Sequence, residues 1–284
     1  MQVAWGVGTD TGGRRAVNED DVLATPPVFV VADGMGGHVH GELASRAVVT
    51  AFEELAGRCD PDREVLPEEI QAAIRTAQRT IRGAGEHDPQ GRPVTAGSTV
   101  AGAVLTVHES QPFWLVFNVG DSRIYRLSEG ELAQVSVDHS VVQEMVDAGA
   151  LGPEDARRHP QRNVITRAVD TGPDVDADFW RLRAGSRDRL LLCSDGLTDE
   201  LGDAEIGAVL REVDSAQDAV DRLIAAATTG GARDNVSVIV VDTAGADVMA
   251  TAPRPASEGD EGDVADTVPR GERRTGGRGE ARWP

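Results

Sequence analysis

Three aspartates lie directly beside apolar runs of the kind that form buried strands. Asp33 and Asp195 each follow such a run and precede a glycine, and Asp234 precedes another run after a single asparagine. Strand ends are rigid positions that can aim side chains at one point, and carboxylate oxygens are the ligands that Mg²⁺ and Mn²⁺ prefer. The spacing therefore points to a divalent-metal site, to which the Gly34 carbonyl can contribute because glycine allows close backbone approach.

Further acidic residues are available to complete such a site. Asp121 lies between two predicted strands, and Glu19 and Asp20 form a pair near the N-terminus. One carboxylate that bridges two cations, with others beside it, is enough for a two-metal hydrolase. A single Asp-Gly pair is more often a tight turn than a ligand. From spacing alone, a metal hydrolase is therefore one interpretation beside ordinary turns.

The elements that must position these residues alternate along the chain. Apolar residues at helical spacing predict helices over about 40–56 and from Pro67 onward, and Ser215 with Asp218 resembles a cap before a late helix. Residues 139–158 are predicted helical, with breaks at glycines. Apolar or alternating runs predict strands at 28–32, 98–107, 113–119, 122–127, 131–135, 175–182, 188–193 and 236–241. Helices early and late with strands between them indicate a layered α+β fold.

Composition excludes several classes of function. The chain has 284 residues, enough for one large domain or two small ones, and a formal net charge of −20. Phosphate backbones are bound by clustered cationic side chains, so this balance argues against a nucleic-acid partner. All 28 basic residues are arginines. The absence of lysine excludes a Walker-type phosphate loop, a kinase strand lysine and a Schiff-base lysine.

The last part of the chain differs from the rest. Residues 243–284 are mostly small, charged or proline, so they cannot bury enough apolar surface to offset their ordering entropy, and we predict a disordered tail after a folded domain of residues 1–242. Cys59 and Cys193 form no metal-binding or disulfide pattern, which is typical of a reducing compartment. Without a visible signal peptide or membrane-spanning run, we expect a cytoplasmic protein in which Cys193 is a small buried residue.

The order of short motifs along the chain resembles that of the type 2C, metal-dependent protein phosphatases in their bacterial form. No single block is specific, but all occur in the family's order between about residues 5 and 241. The matching segments are RAVNED (15–20), VADGMGGH (31–38), GELAS (41–45), GST (97–99), NVGDSR (118–123), DHS (138–140), HP (159–160), NVITRA (163–168), CSDGLT (193–198) and RDNVS (233–237).

The resemblance implies an α+β fold, a four-layer α-β-β-α sandwich in which two central antiparallel β-sheets are flanked by helices. It places Mg²⁺ or Mn²⁺ ions at one edge of the sandwich. By the family pattern Asp33 bridges two ions, Asp195 and Asp234 ligate one of them, and the Gly34 carbonyl ligates the other.

The same pattern assigns the remaining acidic residues. Glu19 and Asp20 would reach the second ion largely through water. Bacterial relatives often hold a third ion, for which Asp121 together with Asp195 is the matching pair.

The activity implied is hydrolysis of phosphoserine or phosphothreonine in phosphorylated proteins, without a covalent enzyme intermediate. A water shared by two cations has a lowered pKa and becomes a hydroxide near neutral pH, which attacks phosphorus in line. Arg15 matches the family's phosphate-gripping arginine, and its planar fork suits two phosphate oxygens. From the residues alone, Arg15 is equally a surface arginine beside Arg14.

The resemblance leaves the leaving-group acid unassigned. Eukaryotic relatives carry a histidine directly after Asp-Gly, where this chain has Met35, and His38 follows three residues later. Protonation by metal-bound water is the alternative. Residues 139–170 match the family's mobile flap beside the active site, although Gly149 and His159–Pro160 equally mark ordinary loop boundaries.

Two other functions stay open. One is an inactive relative that only binds phosphoproteins, against which all of the core aspartates are present. The other is a two-metal hydrolase of a different phosphoester, such as a nuclease, against which the acidic balance counts. Bacterial relatives often oppose serine/threonine kinases, so such a kinase is the expected partner of what we expect to be a monomer with no membrane segment.

Overall fold

Among the residues that the structure describes, which are 1–36, 40–60, 62–84 and 96–244 of a computed structural model, two five-stranded antiparallel sheets form the centre of the molecule. The strands are β1 (Gln2–Asp10), β2 (Asp21–Thr25), β3 (Val28–Ala32), β4 (Gly34–Met35), β5 (Gly97–Ser98), β6 (Val100–His108), β7 (Gln111–Val119), β8 (Arg123–Ser128), β9 (Glu131–Gln134), β10 (Val169–Asp170), β11 (Asp178–Arg183), β12 (Arg189–Cys193) and β13 (Val236–Ala244). One sheet has the order β1-β13-β12-β8-β9 and the other β11-β7-β6-β3-β2, and a smaller sheet has the order β10-β5-β4.

Helices cover the outer faces of the two large sheets. The helices of the described residues are α1 (His40–Ala56), α2 (Pro67–Gly83), α3 (Val141–Asp147), α4 (Pro153–Ala156), α5 (Asp195–Thr198), α6 (Asp203–Glu212) and α7 (Ala216–Thr228). Of these, α1, α2, α6 and α7 cover the sheets, whereas the short helices α3 and α4 belong to the segment between β9 and β10. The apolar faces of α1 and α2 pack on the sheet that contains β3. Those of α6 and α7 pack on the sheet that contains β12 and β13.

Strand β3 shows how one element serves two apolar layers. All of its residues are buried, and successive side chains of a strand point to opposite faces of the sheet. Val28, Val30 and Ala32 therefore join the layer beneath α1 and α2, while Phe29 and Val31 pack between the two sheets. With the third apolar layer beneath α6 and α7, this confirms the predicted four-layer α-β-β-α sandwich.

The predicted helices are confirmed, and two further helices, the four-residue α5 and the longer α6, were missed. Helix α1 begins and ends at the predicted residues, and α2 begins at Pro67, where a missing amide hydrogen costs nothing. Ser215 caps α7, since its Oγ accepts a hydrogen bond from the Asp218 amide at 3.3 Å. Helix α6 was not predicted, although Ile206 and Leu210 are buried at helical spacing and supplied the signal.

Strands β1, β2, β4 and β10 were not predicted, and the start of β11 and the end of β13 differ from the prediction. Strand β1 was missed because it is an edge strand with mostly half-exposed or exposed residues and no apolar run. Strand β11 begins at Asp178 rather than 175, because the preceding backbone is bound by side chains of α2: Gln71 accepts from the Ala177 amide at 3.1 Å and donates to the Val175 carbonyl at 2.7 Å.

A further difference is at the end of the domain. Strand β13 runs to Ala244, two residues beyond the predicted boundary at 242. Thr243 is buried, and its Oγ1 accepts a hydrogen bond from the Asp188 amide at 3.1 Å. The predicted disordered tail otherwise lies outside the described residues, so it stays a prediction.

The segment predicted as a broken helix is the pair α3 and α4. The break falls at Gly149, whose φ of +70° is the left-handed conformation that ends many helices. Cys193 is fully buried, as predicted, and burial raises the pKa of its thiol to about 12. Within the described residues no helix combines the length and apolarity that a bilayer span requires.

Candidate metal centre

All of the predicted acidic residues except Asp20 line one pocket of about 260 Å³. Asp33 lies between β3 and β4, Asp195 is the first residue of α5 directly after β12, and Asp234 lies two residues before β13. Asp121 lies in the connection from β7 to β8, which passes from one large sheet to the other. The pocket is therefore at the edge where the two sheets meet.

The lining of this pocket is strongly acidic. Five carboxylates and a single guanidinium line it, together with Gly34 and residues from the flap; the charged residues are Glu19, Asp33, Asp121, Asp195, Asp234 and Arg15. Asp20 is buried but is not part of the lining. The structure thus brings together every predicted site residue, with Asp20 behind the pocket wall.

Burial and mutual repulsion disfavour the ionised forms of the central carboxylates. Burial raises the pKa of Asp33 well above its usual range, and repulsion from Asp20 and Asp195 adds to this. Burial likewise raises the pKa of Asp195, with repulsion from Asp121 and Asp234 as the next causes. A buried carboxylate needs a positive partner, and a divalent cation among these side chains would supply it.

The pKa values of Asp20 and Asp121 are raised by the same causes. Burial raises the pKa of Asp20 to about 6, although hydrogen bonds from Ser237 and Ser194 act in the opposite direction. Burial also raises the pKa of Asp121 to about 7, with repulsion from Asp138 as the next cause.

Counting only partners among the described residues, several buried carboxylate oxygens of this site have no hydrogen bond. They are Glu19 Oε1, Asp20 Oδ2 and Asp195 Oδ1. Buried polar atoms are almost always paired, so unpaired ones call for an explanation such as an ion. Within the described ranges no three acidic, histidine or cysteine side chains already converge as a finished ligand set. The fit to a cation therefore rests on charge, burial and unpaired oxygens, and on these grounds the residues fit Mg²⁺ or Mn²⁺.

The glycines after Asp33 and Asp195 are required by close packing. Neither has the positive φ that an Asp-Gly hairpin turn needs. A Cβ on Gly34 would lie 2.2 Å from the Gly41 carbonyl oxygen, and a Cβ on Gly196 would lie 2.0 Å from that of Asn235. These glycines let the chain segments of the site approach one another, so the alternative of simple turns is wrong here.

Thr99 belongs to the site, although the sequence analysis assigned it no role. Its Oγ1 accepts a hydrogen bond from the Asp33 amide at 3.0 Å and lies 2.7 Å from Ser122 Oγ. It also donates its own amide to the Asp33 carbonyl at 2.9 Å. Thr99 therefore ties the Asp33 segment to the turn that carries Asp121. The signal was its place in the GST motif beside a buried strand.

Asn235 is a second such residue, and it holds the loop that carries Arg15. Its Oδ1 accepts from the Glu19 amide at 2.9 Å, and its Nδ2 donates to the carbonyls of Thr11 and Val17 at 2.9 and 3.1 Å. An asparagine can satisfy three backbone groups in this way. The Asp-Asn pair before β13 thus supplies both a carboxylate and a brace.

Arg15 lies at the mouth of the pocket. Its Nη2 donates to Asp234 Oδ2 at 2.6 Å, and its Nη1 lies 3.7 Å from Glu19 Oε2. About half of the side chain is exposed. Arg15 is therefore a surface arginine that pairs with the acidic lining of the pocket, and its role in gripping phosphate stays a prediction.

The flap contributes one side of the pocket. Asn163 and Ile165 line it opposite the strand-end aspartates, and sequence reasoning had given neither a role. Met35 also lines the pocket, at the position where eukaryotic relatives carry histidine. His38 lies outside the described residues, so the structure does not place it.

The model of the family described as protein phosphatase 2C matches residues 7–236. The chain belongs to the protein phosphatase 2C family. The match includes all of the acidic residues that line the pocket, and it confirms the resemblance found from the motifs.

Named relatives and solved structures agree with this. The chain is 39% identical over 249 residues to serine/threonine protein phosphatase PstP of Mycobacterium tuberculosis, a match that covers 86% of this chain and 46% of the relative. It is 33% identical to the serine/threonine phosphatase stp of Listeria welshimeri, covering 82% and 93%. This chain therefore spans about half the length of the mycobacterial relative and nearly all of the listerial one.

A solved structure adds information on metals. The catalytic domain of PstP in complex with two manganese ions is 34% identical and superposes with a TM-score of 0.76, covering 86% of this chain and 99% of that one. At this identity and coverage the fold of the two chains is the same. The two manganese ions were observed in the structure of that relative.

Proposed function

We propose that this protein is a metal-dependent phosphatase that hydrolyses phosphoserine and phosphothreonine in phosphorylated proteins. The observation that carries the proposal is the pocket in which five carboxylates face one arginine, with unpaired buried oxygens behind them. Such a site is far more acidic than phosphate binding allows unless cations neutralise it. The names of the relatives support the same class of reaction.

The carboxylates would hold the ions. Asp33 would bridge two of them, with Asp195 and Asp234 as ligands of one and the Gly34 carbonyl as a ligand of the other. Bound Mg²⁺ or Mn²⁺ would supply a water of lowered pKa for direct attack on phosphorus and would neutralise charge on the phosphate oxygens.

The remaining acidic residues would complete the arrangement. Glu19 and Asp20 would act on the second ion through water, and Asp121 with Asp195 would form the place for a third. The buried unpaired oxygens of Glu19 and Asp195 support these assignments.

The side chains themselves would bind and orient the phosphate group. Arg15 is half exposed at the pocket mouth, so its two-pronged guanidinium can turn from Asp234 to two phosphate oxygens. None of the described lining residues is a cysteine or histidine, so direct attack by water fits better than a covalent thiol or imidazole intermediate. Asn163 and Ile165 would limit the access of bulk water from the flap side.

The test is turnover of a phosphothreonine peptide with Mn²⁺, followed by chelation and return of the metal. We expect activity to require the ion and to recover when it is restored. An inactive phosphoprotein-binding relative would bind the peptide in a fluorescence titration without releasing phosphate, and this outcome would overturn the proposal. Release of nucleotide from DNA at a comparable rate would favour the nuclease instead.

The biological setting follows from the same assignment. A phosphoprotein phosphatase of this type would oppose a serine/threonine kinase, and the expected cytoplasmic location and monomeric state are part of the proposal. Phosphoproteomics after deletion of the protein would identify its substrates, and size-exclusion chromatography with light scattering would measure its oligomeric state.

A further inference from the structure

Asp138 and His139, where the chain enters the flap, bind residues on either side of Asp121. Arg123, two residues after Asp121, donates from Nε and Nη2 to the Asp138 carboxylate at 2.9 and 2.6 Å. Gly120, just before Asp121, donates its amide to His139 Nδ1 at 3.1 Å and accepts the His139 amide at 2.9 Å. The backbone on each side of Asp121 is therefore anchored to Asp138 or His139, through Arg123 and Gly120.

The imidazole of His139 has a fixed orientation and tautomer. The side chain is 6% exposed. Because Nδ1 accepts a backbone N–H, the neutral ring carries its proton on Nε2. Nε2 lies 3.4 Å from Asp178 Oδ2, and Asp178 Oδ1 accepts from Arg167 Nη1 at 2.9 Å. The ring thus lies between the Asp121 turn and the ion pair at the end of the flap.

The backbone of His139 is part of the join between the two ends of the flap. Its carbonyl accepts from the Thr166 amide at 2.8 Å, and the next residue, Ser140, forms a β-bridge with Ile165. Ile165 lines the metal pocket. One residue therefore contacts the Asp121 turn through its ring and the flap through its backbone.

The Asp121 turn has little freedom to relax without His139. Gly120 has a φ of +106°, and a Cβ added there would lie 2.6 Å from the methyl group of Thr99. The direction of the Gly120 amide is thus tied to the direction in which Asp121 leaves the turn. Removal of the acceptor would leave a buried N–H unpaired, which costs enough to move the turn.

We propose that His139 is a positioning residue that sets the Asp121 carboxylate for its cation and couples this cation to the position of the flap. The proposal rests on the metal site of the proposed function. The hydrogen bond that His139 Nδ1 accepts from Gly120 would control the affinity for the ion that Asp121 binds. The affinities for the ions that Asp33 and Asp234 bind would not depend on it.

Two isosteric substitutions distinguish the roles of the two ring nitrogen atoms of His139. His139→Asn places an amide oxygen near the position of Nδ1 and keeps the acceptor for Gly120. His139→Gln places its amide near Nε2 and keeps only the contact toward Asp178. His108→Asn is the matched control, since His108 is partly exposed and pairs with Glu64 outside the pocket.

The readouts are Mn²⁺ binding, followed by the electron paramagnetic resonance signal of free Mn²⁺, and amide hydrogen exchange of residues 140–167. We expect His139→Gln to weaken the weakest class of Mn²⁺ sites by about 10-fold or more, the range for residues that orient metal ligands. Exchange in the flap should become faster. His139→Asn and His108→Asn should leave the Mn²⁺ affinities close to those of the unsubstituted protein.

A double substitution tests whether His139 acts through Asp121. Asp121→Asn should remove the weakest Mn²⁺ site without unfolding, because it deletes a buried negative charge. Adding His139→Gln to this variant should then change Mn²⁺ binding no further. An additional loss in the double variant, or equal losses in His139→Gln and His139→Asn, would overturn the proposal and leave a structural role. Absence of Mn²⁺ binding to the unsubstituted protein would instead contradict the proposed function.

Discussion

The two ends of strand β12 carry buried charge in opposite ways. At its first residue, the Arg189 guanidinium pairs with Asp242 at 2.6 and 2.8 Å and also donates to main-chain carbonyls, those of Leu210, Val213 and Asp214. Just past its last residue, Asp195 has an oxygen without a partner and a pKa raised by burial and by neighbouring carboxylates. The charge of Arg189 is compensated by groups of the protein, whereas the carboxylate of Asp195 lies among other carboxylates and needs a cation.

The same contrast holds for a pair of aspartates. Asp188, beside Arg189, is buried, but it accepts hydrogen bonds from Arg126 at 2.5 Å and from the Gly185 amide at 2.7 Å. Asp33 is half-buried and faces other carboxylates, and burial together with their repulsion raises its pKa. Burial of a carboxylate is therefore not itself a sign of function in this fold. A buried carboxylate without a positive partner, in contrast, indicates a functional site.

The largest expected effect is on turnover. Asp33→Asn should lower phosphopeptide hydrolysis at least about 100-fold, more than the loss of an outer residue costs, because the central ligand is removed. The melting temperature of the metal-free protein should not fall, because like-charge repulsion is relieved. Asp188→Asn is the matched control: it should keep turnover and lower the melting temperature. Robust turnover by Asp33→Asn would refute the assignment of the metal centre.

The next effect is on stability at the opposite end of β12. Arg189→Leu should lower the free energy of unfolding by about 3 kcal/mol, since breaking a buried pair leaves Asp242 and the carbonyls uncompensated. Urea denaturation measures this loss. Mn²⁺ affinity should not change, and adding Asp242→Leu should recover part of the stability. A weaker Mn²⁺ affinity in Arg189→Leu would show that the two ends are not independent.

A smaller effect is expected from the brace between Asp33 and the Asp121 turn. Thr99→Val removes the hydroxyl that meets the Asp33 amide and Ser122 while keeping the shape of the side chain. Mn²⁺ affinity should fall by about 10-fold, as for other residues that support ligands, and calorimetric titration measures it. Thr99→Ser keeps the hydroxyl and should behave like the unsubstituted protein. Equal affinities for Thr99→Val and Thr99→Ser would remove Thr99 from the site.

The sequence predicted the ligand candidates better than their supports. Asp33, Asp195 and Asp234 stand beside apolar runs, so strand burial and strand-end position are both visible in one dimension. The partners of Thr99 and Asn235 are 66 and 216 residues away for their bonds to Asp33 and Glu19. Such contacts depend on how the two sheets face each other, and no local pattern records that.

The same distinction explains the missed elements. Strands buried on both faces, such as β3, show as continuous apolar runs, whereas the edge strand β1 takes its place through pairing with β13 from the far end of the chain. The start of β11 is set by Gln71 of α2, more than a hundred residues earlier. Long-range hydrogen bonds override local preference at these places.

The uncompensated carboxylates near the end of β12 should make the stability of the metal-free protein depend on pH. A carboxyl group whose pKa is higher in the folded than in the unfolded chain binds more protons when folded, so its contribution to stability is lost as pH rises through the folded value. The pKa values of about 6 for Asp20 and about 7 for Asp121 place this loss in the neutral range. The melting temperature of the metal-free protein should therefore fall from about pH 5 to about pH 8, where ordinary carboxylates are already ionised.

Saturating Mn²⁺ should abolish or reverse this slope, because a cation favours the ionised carboxylates. Asp121→Asn should remove the part of the slope near pH 7, whereas Asp188→Asn should leave it unchanged, because Asp188 does not line the pocket. A metal-free melting temperature that rises over this range would show that the cluster is compensated within the protein. The contrast between the two ends of β12 would then be lost.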